Sequence, residues 1–366
     1  MNEEGKIGFK EAMWLMVIAI TAKVYFTSPS SIAKLVGTAG WYMTLFSAAA
    51  AAFFFTIVYF LLKRYPGKNI MEVYDSALGE FIGSFFSIIL AVILLITAAI
   101  NMREFAEVLK VYVFPDTPPT FIMGLCTATA VILSFIGLEG IARYAKLIVY
   151  FLIASLAILM ALAYKFYEIR CIYPLDGYGF ANTLYNGFVR SSAYGEVIIT
   201  AIIAKSLHGT KALKKIGYTS IAVSGIIISA TLLASSLVFS YYFNREIVAS
   251  VYEMALLIDI GIVFHGIEPL FLFFWNISTL ISISIVFYSV LQIYTHIFEI
   301  DDKRAVALPF GVILLTVSII PQSIVEVSEV FLLNLRRYSW FLFYLPPVLA
   351  FTIAILRKKK GDVRHV

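Results

Sequence analysis

IAITAKVYFTSPSSIAKLVG, residues 18–37, is an apolar stretch of membrane-spanning length with a helix start written into its middle. Within Thr27-Ser28-Pro29-Ser30, Ser28 suits the capping of free amides and Pro29 suits the first helical position. A helix that starts halfway through a span implies a break just before it, around Lys23–Thr27. The exposed amides and the positive dipole end then face the bilayer centre, a seat for a carboxylate.

The rest of the chain supports a membrane setting. Its 366 residues are 61% hydrophobic and 14% charged, with a mean hydropathy of +0.91; a soluble domain carries roughly a quarter charged residues. Apolar runs of about 20 residues, the length that crosses the hydrocarbon core, recur from end to end. Spans are expected at about 10–34, 40–62, 81–113, 119–137, 141–165, 183–207, 215–241, 267–298, 305–322 and 336–357. All are expected to be helices, because lipid leaves backbone groups no other partner and the runs do not alternate as barrel strands do. The expectation is a single membrane domain over 1–366: helices 1–5 at about 10–165, helices 6–10 at about 183–357, and a basic tail at 358–366.

Ten spans put both termini on one side. The termini and the loops near 63–80, 138–146, 205–215 and 299–304 hold more than twice as many Lys and Arg as the opposite loops, so both termini are expected in the cytoplasm. The net charge of +5 is spread through these short loops and does not mark a nucleic-acid surface. The N-terminus has two acidic residues and no small-residue cleavage site, unlike a cleaved signal peptide. Residues 166–182 and 242–266 are longer than turns and suit short interfacial helices or lids, the second an amphipathic helix. Cys126 sits in an apolar run and Cys171 in a polar loop, which argues against a disulfide between them.

The sixth span, TLYNGFVRSSAYGEVIITAIIAKSL, has a polar, glycine-containing middle at Arg190-Ser191-Ser192-Ala193-Tyr194-Gly195-Glu196. Interruptions at matching places in two halves point to an inverted-repeat transporter site; ordinary kinks in membrane helices are the plainer alternative. Lys23 lies deep in the first span, where an unpaired charge costs several kcal/mol. Its ammonium stands either where a coupling cation would sit or in a structural ion pair. Glu196 suits binding an amine, relaying a proton or capping the second half-helix. Asn101, Arg103, Glu104 and Glu107 form a polar girdle late in the third span. Near the outer face, Arg103, Glu104 and Glu107 suit an outer gate or a subunit contact, and Arg103 and Glu107, four apart, suit a local salt bridge. Span 8 carries Asn276, Ser278, Thr279, Ser282, Ser284, Tyr288, Gln292 and His296, suited to a wet path or to bonds between helices. No metal cluster, cofactor motif or enzyme signature stands out among the four scattered histidines and two cysteines, so neither a catalytic residue nor a cofactor is expected.

Several stretches resemble the B subunit of spore germination receptors, a branch of the amino acid–polyamine–organocation transporter superfamily. They are Tyr65-Pro66-Gly67-Lys68, Phe114-Pro115-Asp116-Thr117-Pro118-Pro119, Gly137-Leu138-Glu139-Gly140-Ile141-Ala142-Arg143, Gly195-Glu196 and Ile267-Glu268-Pro269-Leu270-Phe271-Leu272-Phe273-Phe274-Trp275, in order over nearly the whole chain. The resemblance implies an all-α, five-plus-five inverted-repeat (LeuT-type) fold with helices 1 and 6 interrupted. It also implies a germinant receptor in the inner membrane of a bacterial spore, working with an A subunit and a lipoprotein C subunit. The implied ligand is typically an amino acid such as L-alanine, sometimes with sugars or nucleosides, held here by Tyr25, Thr27, Ser28, Ser191, Ser192, Tyr194 and Gly195. One departure stands out: where the family shows glycines ahead of the proline, this chain has Ala22-Lys23-Val24-Tyr25, which implies a smaller, different or vestigial pocket. The rival readings are a free-standing, proton-coupled amino acid permease and a conducting pore.

Overall fold

The computed structural model describes residues 6–25, 27–259 and 268–357. The basic tail at 358–366, the end of the 242–266 segment and Ile267 lie outside the described residues. In chain order the α-helices are α1 Phe9–Thr21, α2 Ser28–Val36, α3 Gly40–Arg64, α4 Ile70–Leu78, α5 Glu80–Tyr112, α6 Pro119–Ile136, α7 Leu138–Leu162 and α8 Phe180–Val189. They continue as α9 Ile199–Ile202, α10 Gly209–Val238, α11 Tyr241–Asn244, α12 Ser250–Leu256, α13 Glu268–Ile297, α14 Arg304–Ile319, α15 Ile324–Glu326 and α16 Leu333–Leu356. Among the described residues there is no strand.

Among the described residues seven runs are long and apolar enough to cross a membrane. The first and sixth expected spans are not among them as continuous helices, because each is broken. The ninth is the shorter apolar helix Arg304–Ile319. Large apolar side chains such as Phe81, Leu308 and Ile226 stand on the outside, a surface that calls for lipid rather than water. Leu15 to Ile20 of α1 are buried in succession, as in a helix surrounded by others, and α1 packs on α7, α10 and α13. Elements far apart in the chain pack together: α3 runs along α10, α5 along α13, and α1 meets the stretch that follows α8.

Two details differ from the sequence reading. Residues 63–80 are not a plain loop but hold α4, started by a capping box in which Asn69 Oδ1 accepts the Glu72 amide at 2.9 Å and Glu72 accepts the Asn69 amide at 3.2 Å. The last span begins well before residue 336, through α15 and a π-helical stretch, Val327–Leu332, which carries Arg336 into the interior. The described part of 242–266 holds the short helices α11 and α12.

Both ends of the bundle are tied. At one end residues 166–182 fold onto α2: the Tyr178 amide donates to Val36 O at 3.3 Å, Asn182 donates to Leu35 O at 3.0 Å, and Lys34 pairs with Glu329. Gly177, at φ +56°, lets this loop approach so closely that a Cβ would stand 2.0 Å from Val36 O. At the other end Glu11 pairs with Lys146 at 2.5 Å, Glu72 with Lys205, and His296 Nε2 lies 2.8 Å from Asp75.

Where α3 meets α10, Gly217 lies under the fully buried Phe55 ring, and a Cβ there would come within 2.0–2.1 Å of ring atoms. Gly217→Ala is therefore expected to destabilise by about 1–3 kcal/mol through overpacking. Unfolding in mixed micelles checks this. Gly217→Ala/Phe55→Leu should recover part of the loss, and an unperturbed single variant would contradict the packing.

Candidate functional site

The first break runs through a 3-10 turn, Ala22–Tyr25, into α2. Pro29 sits in the first turn of α2, where its missing N–H costs nothing. The cap does not come from Ser28. Its hydroxyl turns back and donates to Lys23 O at 2.9 Å, satisfying a carbonyl freed by the break. The start of α2 is held instead by Glu104 of α5: its Oε1 accepts the Thr27 amide at 2.9 Å and the Thr27 hydroxyl as well. The seat expected for a ligand carboxylate is thus filled by a carboxylate of the protein.

The second break is a nine-residue 3-10 stretch, Arg190–Ile198, between α8 and α9. Its freed groups are claimed by α16 and α3. Tyr344 donates to Ser191 O at 3.0 Å, Ser192 Oγ donates to Arg336 O at 2.9 Å, and Arg336 Nη1 reaches Ser192 O at 3.5 Å. The Tyr194 hydroxyl lies 2.8 Å from that of Thr44. Gly195 lies against Phe343, where a Cβ would stand 2.5 Å from the ring.

The breaks face each other. Lys23 Nζ donates to Glu196 Oε1 at 2.5 Å, with both side chains buried. Around this pair lie Glu104, Arg190 and Arg336, each buried. Between them is a cavity of about 30 Å³ lined by Lys23, Val24, Ser28, Ile32, Met43, Thr44, Ser47, Arg190, Ala193, Ile228 and Arg336. One water needs about 10–15 Å³ of such space, so the cavity in this shape holds a water or two and no amino acid.

Of the residues expected to bind ligand, Ser28 lines the cavity, as does Lys23. Tyr25 turns toward α13, its ring centroid 5.6 Å from that of Phe271 and 6.4 Å from that of Trp275. Thr27, Ser191, Ser192, Tyr194 and Gly195 build the breaks rather than the cavity wall. Glu104 is separated from its expected neighbours in role: Arg103 and Glu107 pair at 2.6 Å, while Glu104 serves α2. Arg190, Arg336, Thr44 and Ser47 were not expected at the wall. The signal available for the arginines was a charge inside an apolar run, the rarity that marks a functional position in lipid. In span 8 the hydroxyls of Ser278, Thr279, Ser284 and Ser289 donate to carbonyls of their own helix, and Ser282 donates to Ala19 O at 3.2 Å.

Comparison with known proteins follows the same lines. A solved structure described as the substrate-bound outward-open state of a Na+-coupled sialic acid symporter superposes with a TM-score of 0.66 at 12% identity, covering 98% of this chain and 92% of that one. At that identity the likeness establishes the fold alone. Spore germination protein KB of Bacillus subtilis (strain 168) is 23% identical over 233 residues, 63% of this chain and 62% of that protein. Spore germination protein B2 of the same organism is 22% identical over 237 residues, 63% of each. The match therefore spans less than two thirds of either relative's length. The family profile described as "Spore germination protein" matches residues 6–327. The chain is an integral membrane protein with a transporter-like fold, and it belongs to the spore germination protein family.

Proposed function

We propose that this chain is the membrane subunit of a spore germinant receptor that binds a small polar solute, with amino acids as the leading class, between its two broken helices. The observation that carries this reading is the convergence of both breaks on one buried, charged cavity. In this reading the chain crosses the inner membrane of the spore ten times with both termini in the cytoplasm, and it signals with A and C subunits. The ten crossings are two sets of five, with the interrupted segments as the first and sixth. The small cavity fits a sensor: a solute must prise Ile32, Met43 and Ile228 apart to enter, so its binding favours a wider conformation.

A second reading, a proton-coupled amino acid permease, draws support from the Lys23–Glu196 contact, since an ammonium and a carboxylate at 2.5 Å can exchange a proton as the site opens. Two measurements separate them. Thermal shift of the purified chain over the common amino acids should show a concentration-dependent rise for a true ligand. Proteoliposomes of the chain alone should then show no uptake of that ligand, while co-purification from native membranes should bring two further subunits. Saturable uptake by the chain alone would favour the permease, and no thermal shift with any solute would remove the binding site from both readings.

A further inference from the structure

The wall of the cavity carries an imbalance of charge. Among the described residues Lys23, Arg190 and Arg336 line it, and no carboxylate does. The two nearby acids each spend one oxygen elsewhere, Glu196 Oε1 on Lys23 at 2.5 Å and Glu104 Oε1 on the Thr27 amide at 2.9 Å, and neither carboxylate lines the wall. The two guanidiniums stay protonated in proteins, and with the proton of the Lys23–Glu196 contact kept between those two groups the three bases outweigh the two acids by one positive charge. Arg190 is where it shows. This side chain is 5% exposed and borders the cavity, yet among the described residues it makes no hydrogen bond or ion pair. The Arg336 guanidinium has one long bond, at 3.5 Å to Ser192 O. Buried cations are costly unless paired, and the planar fork of arginine matches a carboxylate.

We propose that the cavity takes a carboxylate solute of net charge −1, anchored on Arg190 and Arg336, in preference to a zwitterion. This rests on the binding site proposed above and names its ligand class. A monoanion brings the cluster to neutrality. A zwitterion leaves the excess charge in place and sets its own ammonium beside three cations, with only the hydroxyls of Ser28, Thr44 and Ser47 on the wall to receive it. Lys23 already stands against Glu196, where a ligand ammonium would otherwise go. The class therefore includes hydroxy acids and acidic amino acids and leaves out neutral amino acids.

The test uses the full chain in detergent, in chloride-free sulfate buffer, with pairs that differ in charge more than in shape: lactate against alanine, and glutamate against glutamine. At least one anion should raise the melting temperature saturably, while its neutral partner leaves it unchanged. Arg190→Gln should weaken that anion about tenfold or more and, by removing the surplus cation, raise the melting temperature of the unliganded chain. Arg190→Lys, which keeps the charge and loses the fork, should bind with an intermediate affinity; it serves if Arg190→Gln does not fold. A shift with alanine or glutamine and none with the anions would overturn this inference and leave the amino acid site standing. Chloride alone giving the full shift, with carboxylates adding nothing, would also overturn it. Silence from all four solutes would overturn this inference, while the wider amino acid screen decides the site itself.

Discussion

Glu196→Gln is expected to destabilise the chain by about 3–5 kcal/mol, the cost of leaving a buried cation without its partner. The substitution does more than strand Lys23. It leaves Lys23, Arg190 and Arg336 facing Glu104 alone, raising the surplus charge from one to two. Lys23→Met acts in the opposite sense: it removes one cation, leaves two cations and two acids, and keeps Glu196 in the field of Arg336. It should therefore cost distinctly less. The double variant restores the original surplus of one and should recover most of the loss. Unfolding in mixed micelles, without added anions, gives the cycle directly. Equal costs for the two single variants would mean that the pair acts alone, without the arginines.

Glu104→Ala is the second large effect. This carboxylate caps α2 from another helix and also balances the arginines, so its loss is expected to cost about 3–5 kcal/mol. Glu104→Gln separates the two roles. The amide oxygen still accepts from Thr27, so the smaller part, about 0.5–2 kcal/mol of capping, is retained while the charge is lost. Hydrogen exchange should show the amides of Thr27, Ser28, Ser30 and Ser31 opening in Glu104→Ala and staying protected in Glu104→Gln. Identical behaviour of the two variants would dismiss the cap. Neutral behaviour of both would dismiss the buried cluster.

Much of the fold was legible because lipid imposes it locally. A run of apolar residues without alternation leaves helix as its only satisfied form, and Pro29 preceded by Ser28 marks a helix start wherever it occurs. The break in the sixth span was legible through Gly195 and the polar run around it. The helix α4 was legible too, in the Asn69–Glu72 spacing, yet the basic loop around it hid the signal. The contents of the site were less visible. Glu104 lies 77 residues beyond Thr27 in the chain, and nothing local distinguishes its role from that of Arg103 or Glu107 beside it. Arg336 reads as the edge of a span until the π-helical stretch before it is seen to carry it inward. Tyr25 and Tyr194 are ligand contacts by the family resemblance, and only the packed structure shows Tyr25 against Phe271 and Trp275 of α13 and Tyr194 against Thr44 of α3.

By itself, then, the sequence determined a helical membrane bundle with its first and sixth segments interrupted, since hydropathy, proline geometry and backbone satisfaction act within a few residues. Only the tertiary structure decided what fills the gap: a protein carboxylate at the start of α2, and a cavity faced by three cations. Charge balance in a buried site is a sum over helices far apart in the chain, and that sum exists only once they are packed together.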